Sequence, residues 1–226
     1  MNSSILGERL QKIRTDLAKL SWDSAHPAQL VAVTKTVDAT VTNLLKAHHQ
    51  LDIGENRAQT IVEKLSTLDK YFKIHFIGRL QTNKIRYIIE NVSLFHSLDR
   101  VHLAKELQTH ASRSGLRKDV LLQVNVAGET QKAGFDVPEL LDFVRHATDY
   151  PALHVRGLMA IMPYIEDELA LAGYFKAMRK LFDAIKRDAP QGVEMDILSM
   201  GMTHDYKIAL AEGATMVRIG SALFGE

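Results

Sequence analysis

The sequence predicts an α/β fold in which eight parallel strands close into a (β/α)8 TIM barrel. Short apolar, β-branched segments alternate with segments of helical periodicity along all 226 residues, and this alternation is typical of a parallel sheet covered by helices. Eight such units indicate a closed barrel near the lower size limit of that fold. An open doubly wound sheet is the alternative, but it usually carries a glycine-rich nucleotide fingerprint that is missing here. We therefore expect one barrel domain over residues 1–226.

The elements begin with an extra N-terminal helix, because Met1–Leu20 carries leucine and isoleucine at helical spacing with charges between them. Pro138 suits the first turn of a later helix, where its missing N–H is not needed. Strands are predicted at Leu30–Thr34, a short segment ending at Gly54, Lys73–Ile77, Ser93–His96, Val120–Val126, His154–Ala160, Met195–Ser199 and Met216–Ile219. Helices are predicted at Asp38–His49, Ala58–Leu68, Lys84–Glu90, Val101–Ser112, a segment at Pro138, Asp167–Arg187 and Tyr206–Ala211, with a last turn at Ser221–Phe224.

Composition and missing motifs exclude several classes of function. The 28 Lys+Arg against 27 Asp+Glu give a formal charge of +1, so no basic field predicts a nucleic acid or an anionic membrane as partner. Without cysteine the chain has no disulfide, thiolate metal site or cysteine nucleophile, and no P-loop, HExxH or GxSxG motif occurs. The first helix lacks the apolar core of a signal peptide and no stretch is long enough to cross a bilayer, so we expect a cytoplasmic protein with no metal.

Lys35 is the first candidate functional residue. It follows the first predicted strand, at the end where barrels keep their chemistry. We expect apolar neighbours to strip water from its amine and favour the neutral form, which is a nucleophile that forms Schiff bases with aldehydes and ketones. The alternative is an ordinary strand-end lysine whose amine reaches into water.

The segments after strands seven and eight predict an anion site. Gly201 and Gly220 allow close approach of the backbone, and we expect Thr203 and Ser221 to cap the helices that follow, whose N-termini favour phosphate. The alternative is two ordinary strand–turn–helix junctions. Arg218 either points inward to a ligand or outward to a helix carboxylate. A small basic group is interpreted as solvated surface: Arg79, Lys84 and Arg86.

A lysine amine, a phosphate cradle and an arginine on one rim suggest pyridoxal 5′-phosphate (PLP). Six segments closely resemble the pyridoxal phosphate homeostasis protein family (YggS/PROSC type), in the right order and over nearly the whole chain. They are Val33-Thr34-Lys35, Gly54-Glu55-Asn56, His75-Phe76-Ile77-Gly78 with Leu80-Gln81 and Asn83-Lys84, Arg156-Gly157-Leu158-Met159, Ser199-Met200-Gly201-Met202 and Val217-Arg218-Ile219-Gly220. No single segment is specific, but the combination is.

This resemblance implies a barrel like the N-terminal domain of alanine racemase (PLP fold type III), with PLP bound covalently to Lys35. It further implies that Asn56 lies close to the cofactor and that Arg218 faces the pyridine nitrogen, leaving that nitrogen unprotonated. The residues expected around the phosphate are Ser199, Gly201, Gly220 and Ser221, with Thr203 keeping the hydroxyl of a related serine. Met159, at the end of strand six, completes the expected cofactor site.

The resemblance favours a PLP carrier over an enzyme. Alanine racemase takes a tyrosine from an additional domain, and this chain is expected to lack that domain because it ends at Glu226, just after the eighth unit. None of the six tyrosines is an obvious substitute base. We expect a monomer that buffers PLP or delivers it to PLP-dependent apoenzymes, with indirect effects on amino-acid and keto-acid metabolism. The alternatives are a weak amino-acid racemase or related PLP enzyme, and a cofactor-free Schiff-base aldolase.

Overall fold

Eight parallel strands form a closed barrel in chain order in the computed structural model, which describes residues 1–128 and 133–225. Strand β8 closes the barrel by pairing with β1, with Leu30 opposite Val217. The strands are β1 Gln29–Val33, β2 Asp52–Glu55, β3 Lys73–Phe76, β4 Val92–Leu98, β5 Lys118–Gln123, β6 Leu153–Met159, β7 Val193–Ser199 and β8 Met216–Ile219. The (β/α)8 barrel predicted from the alternating pattern is confirmed.

Helices follow the strands on the outside of the barrel. They are α1 Ser3–Leu20, α2 Ala39–Asn43, α3 Ala58–Lys64, α4 Ile85–Ile88, α5 Val101–Arg113, α6 Val137–Arg145, α7 Glu168–Arg187, α8 Tyr206–Ala211 and α9 Ser221–Phe224. Three 3-10 turns lie at Leu44–His48, Thr82–Lys84 and Ala147–Asp149. The predicted helices at Asp38–His49 and Lys84–Glu90 are therefore each a short α-helix joined to a 3-10 turn.

Local sequence signals explain where several helices begin. The side chains of Asp38, Asp136 and Asp167 accept backbone N–H groups in the first turns of α2, α6 and α7, as acidic N-cap residues do. Pro138 lies in the first turn of α6, as predicted. The longest helix, α7, buries one apolar stripe that includes Phe175, so burial of that stripe against the barrel stabilises it more than local propensity does.

The extra helix α1 completes the outer layer near β1 and β8. It packs against α8, α9 and the 3-10 turn Leu44–His48. Arg14 donates to the carbonyl of His48 at 2.7 Å, and the hydroxyl of Tyr206 donates to Asp16 at 2.6 Å. Because α9 has only four residues, α1 covers a region that a full eighth helix would otherwise cover.

Most strands differ from the predicted bounds by one or two residues at an end, and β4 and β5 differ most. Strand β5 begins at Lys118 and ends at Gln123, earlier than the predicted Val120–Val126. The reason is that Val124 leaves the sheet ladder and forms an isolated bridge with Phe135. Strand β4 is seven residues long and extends beyond the weak predicted segment on both sides, because its neighbours in the barrel pair with it there.

Apolar side chains fill the middle of the barrel. They form a buried cluster of Val31, Leu94, Leu121, Met159 and Met216, with Ile197 packed against it. The barrel is therefore a packed core, and room for a ligand is left only towards its ends. Within the described residues, no helix combines the length and apolar character that crossing a bilayer requires.

Candidate functional site

A cavity of about 690 Å³ opens at the carboxyl ends of the strands, within the range of about 300–1,000 Å³ that is usual for ligand sites. We call it the rim cavity. Six residues predicted for the site line it: Lys35, Asn56, Thr203, Arg218, Gly220 and Ser221. It is also lined by Val33, Thr36, Ile77, Gly78, Arg79, Gln123, Val124, Asn125, Ala133, Ile161, Met202, His204 and Gly225. Segments following most strands of the barrel thus contribute to one site.

The rim cavity has a cationic wall. Lys35, Arg79 and Arg218 line it, and none of the described lining residues is Asp or Glu. Arg79 is partly offset by Asp99, whose carboxylate lies 3.6 Å from its Nε. An excess of positive charge in a concave site attracts and retains anions, so this cavity favours an anionic ligand.

Lys35 extends from a rigid point of the backbone. The residue before it, Thr34, is fully buried and donates its hydroxyl to Glu55 Oε1 at 2.6 Å. The amine of Lys64 donates to the Thr34 carbonyl at 2.8 Å and to Glu55 Oε1 at 2.6 Å. We call Thr34, Glu55 and Lys64 the buried anchor. Because its polar groups are largely paired inside the protein, it fixes the start of the Lys35 loop.

The side chain of Lys35 is exposed, which corrects one expectation. The apolar run before Lys35 predicted that its amine would be surrounded by apolar groups. That run ends at Val33, and Lys35 lies in the turn after it, so its amine reaches the cavity from the solvent-facing side. The predicted rim position of Lys35 is right, but the predicted loss of hydration is wrong for the protein without a ligand.

Arg218 points inward and is held tightly. It is only 4% exposed, and Nη1 donates to the carbonyl and hydroxyl of Ser199 at 2.9 and 2.6 Å. Nη2 donates to the carbonyl of Ala160 at 2.9 Å. Burial lowers the pKa of Arg218 to about 10, against the opposing effect of Asp205. The inward alternative for this arginine is therefore the correct one, and the group remains a cation at neutral pH.

Three predicted site residues do not line the rim cavity. Ser199 is fully buried behind Arg218, and Met159 is fully buried in the apolar cluster of the barrel. Gly201 has φ +93°, and a Cβ there would lie 2.7 Å from Ala209 Cβ. Its glycine is thus required by packing against α8, whereas the sequence interpretation assigned it to close approach of a ligand.

Hydroxyl groups of two loops meet at the rim cavity. Thr203 and Ser221 both line it, and Thr203 Oγ1 accepts the N–H of Ala222 at 3.5 Å. Neither caps its own following helix, because the N-cap positions are Asp205 and Gly220 and neither makes a side-chain cap. The predicted capping roles are therefore wrong, although the two hydroxyls do come together as expected.

Asp205 shapes the loop after β7. Its carboxylate accepts the N–H of Met202 at 2.6 Å, which closes a tight turn that places Met202, Thr203 and His204 on the cavity wall. Burial raises the pKa of Asp205, while its hydrogen bond from Met202 and the charge of Arg218 oppose that rise. No role was predicted for His204, because nothing in its spacing marked it.

Gly78 and Arg79 are cavity residues that the sequence interpretation left out of the site. A Cβ on Gly78 would lie 2.0 Å from the carbonyl oxygen of Asn56, so glycine lets the loops after β2 and β3 touch. Arg79 was interpreted as solvated surface, and its side chain is indeed 71% exposed, yet it lines the cavity. Their position directly after a predicted strand was the available signal.

Metal-binding clusters do not occur among the described residues, since no group of three or more His, Cys, Asp or Glu side chains is suitably placed. The chemistry of the rim cavity thus comes from an amine, two guanidinium groups, the imidazole of His204, hydroxyls and amides.

Comparison with known proteins finds a matching family model and similar proteins that share one name. The model of the family "Alanine racemase, N-terminal domain" matches residues 9–226. A pyridoxal phosphate homeostasis protein of Aquifex aeolicus is 42% identical over 223 residues, covering 97% of each chain. One from Haemophilus influenzae is 36% identical over 220 residues, covering 95% of this chain and 91% of the relative.

Solved structures show the same likeness. PipY of Synechococcus elongatus PCC7942, solved with PLP bound, is 32% identical and superimposes with a TM-score of 0.86, covering 97% of this chain and 100% of PipY. Alanine racemase of Clostridium difficile 630 superimposes with a TM-score of 0.75 at 15% identity, covering 99% of this chain and 57% of the racemase. The second likeness is one of fold alone.

Proposed function

The chain belongs to the pyridoxal phosphate homeostasis proteins, within the alanine racemase N-terminal domain family, and we propose that its rim cavity is the site that binds PLP. The protein is a PLP-binding protein of cofactor homeostasis, the role for which its relatives are named. The observation that carries the proposed location is the pairing of an exposed lysine with a buried arginine in one cavity whose described lining has no carboxylate.

Lys35 is proposed to bind the cofactor covalently. PLP supplies an aldehyde and, when bound, an aromatic ring that can act as an electron sink. The neutral amine of Lys35 can attack that aldehyde carbon to form a C=N bond with loss of one water molecule. The buried anchor holds the loop in place. Because the Lys35 side chain is exposed, its attachment to the cofactor remains open to exchange with an incoming acceptor amine, as a carrier requires.

Thr203, Ser221 and Arg79 are proposed to bind the phosphate group. Their hydroxyls and guanidinium line the cavity, and charge-assisted hydrogen bonds to phosphate are stronger than neutral ones. Gly220 lies between these groups and β1, since a Cβ on it would come within 3.3 Å of Val33 Cβ. Ser199 is proposed to act through Arg218, because its hydroxyl is fully buried behind that side chain.

Arg218 is proposed to face the pyridine nitrogen. A guanidinium group has only donors, and the Nε–H of Arg218 has no acceptor within the described part of the chain. It can therefore donate to the nitrogen lone pair and keep that nitrogen unprotonated, which weakens the ring as an electron sink. Such a ring is suited to storage and transfer rather than to turnover, and Asn56, which also lines the cavity, is proposed to contact it.

Two further functions remain as alternatives to the carrier. A weak racemase needs a second acid or base beside Lys35; no tyrosine is among the described lining residues, and His204 is the titratable group that could act there. A cofactor-free aldolase would use Lys35 alone, but PipY has been solved with PLP bound, which favours the PLP-binding role. Delivery to apoenzymes, a monomeric state, a cytoplasmic location and one domain over 1–226 stay predictions.

Titration of the purified protein with PLP tests this proposal. We expect an absorption band of protein-bound imine that saturates at one PLP per chain, and no racemisation of amino acids above the rate of free PLP. A colourless protein that forms no band with added PLP would contradict the proposed site. Racemisation that disappears in Lys35→Ala would instead favour the enzyme.

A further inference from the structure

A continuous line of hydrogen bonds crosses the interior of the barrel. His75 Nε2 lies 3.0 Å from Asp52 Oδ1, and His75 Nδ1 lies 2.9 Å from His96 Nε2. His96 Nδ1 lies 3.0 Å from Ser199 Oγ, which in turn accepts from Arg218 Nη1 at 2.6 Å. We call these five residues the polar chain. Four of its members are at most 4% exposed, so water does not compete for their bonds: His75, His96, Ser199 and Arg218.

The polar chain joins the two ends of the barrel. Asp52 opens β2 and lines a cavity of about 310 Å³ beneath α1, which Arg14, Gln29 and Gln50 also line. Arg218 lies near the end of β8 and lines the rim cavity. The bonds between them bring together residues that are up to 103 positions apart in sequence.

With both imidazole rings neutral, the ends of the polar chain fix the direction of every bond in it. Arg218 can only donate, so the hydroxyl hydrogen of Ser199 is free to point to His96 Nδ1, and in that arrangement Nδ1 is an acceptor. His96 therefore carries its hydrogen on Nε2 and donates to His75 Nδ1. His75 in turn carries its hydrogen on Nε2 and donates to Asp52.

The same direction follows from the other end of the polar chain. Burial raises the pKa of Asp52, but the hydrogen bonds from His75 and Gln29 outweigh it, and the pKa is lowered overall. An ionised carboxylate can only accept, which again requires the hydrogen of His75 on Nε2. Burial, with the nearby charge of Arg218, holds the pKa of His96 well below its usual range. The neutral form of His96 is the one that this direction needs.

We propose that Asp52, His75, His96 and Ser199 are positioning residues that hold the guanidinium of Arg218 in one orientation at the rim cavity. With neutral rings, a donor-only cation at one end and an acceptor-only carboxylate at the other leave a single arrangement of hydrogens that satisfies every group. The guanidinium of Arg218 is thereby held in one position where it lines the rim cavity. The link to PLP rests on the proposed function; the direction of the polar chain does not.

Nitrogen NMR of the histidine side chains tests the direction without any cofactor. In protein labelled with ¹⁵N-histidine at neutral pH, we expect both His75 and His96 to be neutral with the hydrogen on Nε2. A hydrogen on Nδ1 of either ring, or a doubly protonated ring, would overturn the proposal. The assignments come from the spectra of His75→Gln and His96→Gln.

A pair of variants of similar volume tests the positioning role. In His96→Gln the amide can accept from Ser199 and donate to His75, whereas His96→Met can do neither. Loss of a group that orients a ligand-binding residue costs about tenfold or more in affinity, so we expect His96→Met to raise the Kd for PLP by about tenfold and His96→Gln to restore most of it. His154→Met is the control, because His154 pairs with Asp119 outside the polar chain.

The possible outcomes separate the two proposals. Equal PLP affinity of wild type and His96→Met, or an equal loss in His96→Gln, would overturn the positioning role. Failure of the wild type to bind PLP would contradict the proposed function, while the histidine tautomers would still decide the direction of the polar chain. If His96→Met does not fold, the Kd for PLP is measured instead for Ser199→Ala and Ser199→Thr. Threonine keeps the hydroxyl group that alanine removes.

Discussion

The two cations that the adjacent strands β1 and β8 bring to the rim cavity are held in opposite ways. Lys35 is an exposed side chain on a fixed backbone, since the buried anchor of Thr34, Glu55 and Lys64 holds the residue before it. Arg218 is a buried side chain whose own nitrogen atoms are bound to Ser199 and Ala160. The site therefore has a movable amine in Lys35 and a fixed hydrogen-bond donor in Arg218.

This difference shows that the barrel gives mobility to the lysine side chain and a fixed orientation to the arginine side chain. An exposed lysine has several accessible rotamers and is able to change partners, which a covalent but reversible attachment needs. A clamped guanidinium loses little further entropy when it donates to a ligand. The comparison therefore predicts that changes on the Lys35 side alter covalent capture, while changes on the Arg218 side alter stability together with orientation.

Removal of the Lys35 amine is expected to have the largest effect. Lys35→Ala should abolish the covalent adduct completely, because no other amine is a member of the described cavity lining. Its free energy of unfolding should stay within about 0.5 kcal/mol of wild type, as for other exposed positions. Absorption spectra with PLP and urea unfolding measure the two quantities. Lys84→Ala, at the neighbouring surface, is the control and should keep the adduct. An adduct that persists in Lys35→Ala would contradict the assignment of covalent capture to Lys35.

Breaking the buried anchor is expected to destabilise the fold. In Glu55→Gln the amine of Lys64, whose side chain is 7% exposed, loses its charged partner. Removal of one member of a buried ion pair costs about 3–5 kcal/mol, which denaturant unfolding would show. The double variant Glu55→Gln with Lys64→Met should recover most of that loss, since the uncompensated charge is gone. A double variant as unstable as Glu55→Gln would contradict this account of the anchor.

Two serines near the cavity should separate binding from stability. Ser221→Ala removes a hydroxyl that lines the cavity and should weaken PLP binding by about 1.5–3 kcal/mol, the range for a hydrogen bond to a charged group. Ser199→Ala removes one buried hydrogen-bond partner from each of His96 and Arg218 and should lower the free energy of unfolding by about 1–3 kcal/mol. Calorimetric titration and urea unfolding of both variants check this, and each variant is the other's control. Similar losses of unfolding free energy in the two variants would contradict this separation of binding from stability.

The smallest expected effect is a pH dependence on the Arg218 side. His96 stays neutral in the folded protein because its pKa is held well below 6.5, whereas the unfolded chain takes up a proton there below about pH 6.5. Unfolding thus binds a proton, and stability must fall as the pH drops below this value. Urea unfolding at several pH values should give a shallower slope for His96→Gln than for wild type. Equal slopes would show that His96 is protonated in the folded state.

The fold could be predicted because strand and helix patterns are local. The eight apolar segments and the position of Pro138 need only neighbouring residues for their interpretation. The end of β5 could not be predicted, because it depends on a bridge between Val124 and Phe135. Likewise, the strength of β4 comes from its partners in the barrel.

The candidate site also has a part that could be predicted from the sequence and a part that could not. Lys35 and Arg218 were identifiable because they lie at or near the carboxyl ends of predicted strands, where barrels keep ligand-binding groups, and Asn56 was identified through the family resemblance. Ser199 shares that position, but its hydroxyl is turned to the interior by contacts with His96 and Arg218 that only the closed barrel creates. The exposure of Lys35 also depends on where β1 ends, which the apolar pattern left uncertain by a residue.

Borohydride reduction of the PLP-loaded protein, followed by mass spectrometric mapping of the modified peptide, tests the central claim most directly. The account predicts one pyridoxyl group per chain, attached to Lys35, with free cofactor released from Lys35→Ala under the same conditions. A pyridoxyl group on any other lysine, or none at all in protein that has been saturated with PLP, would contradict the assignment of Lys35 as the residue that holds the cofactor.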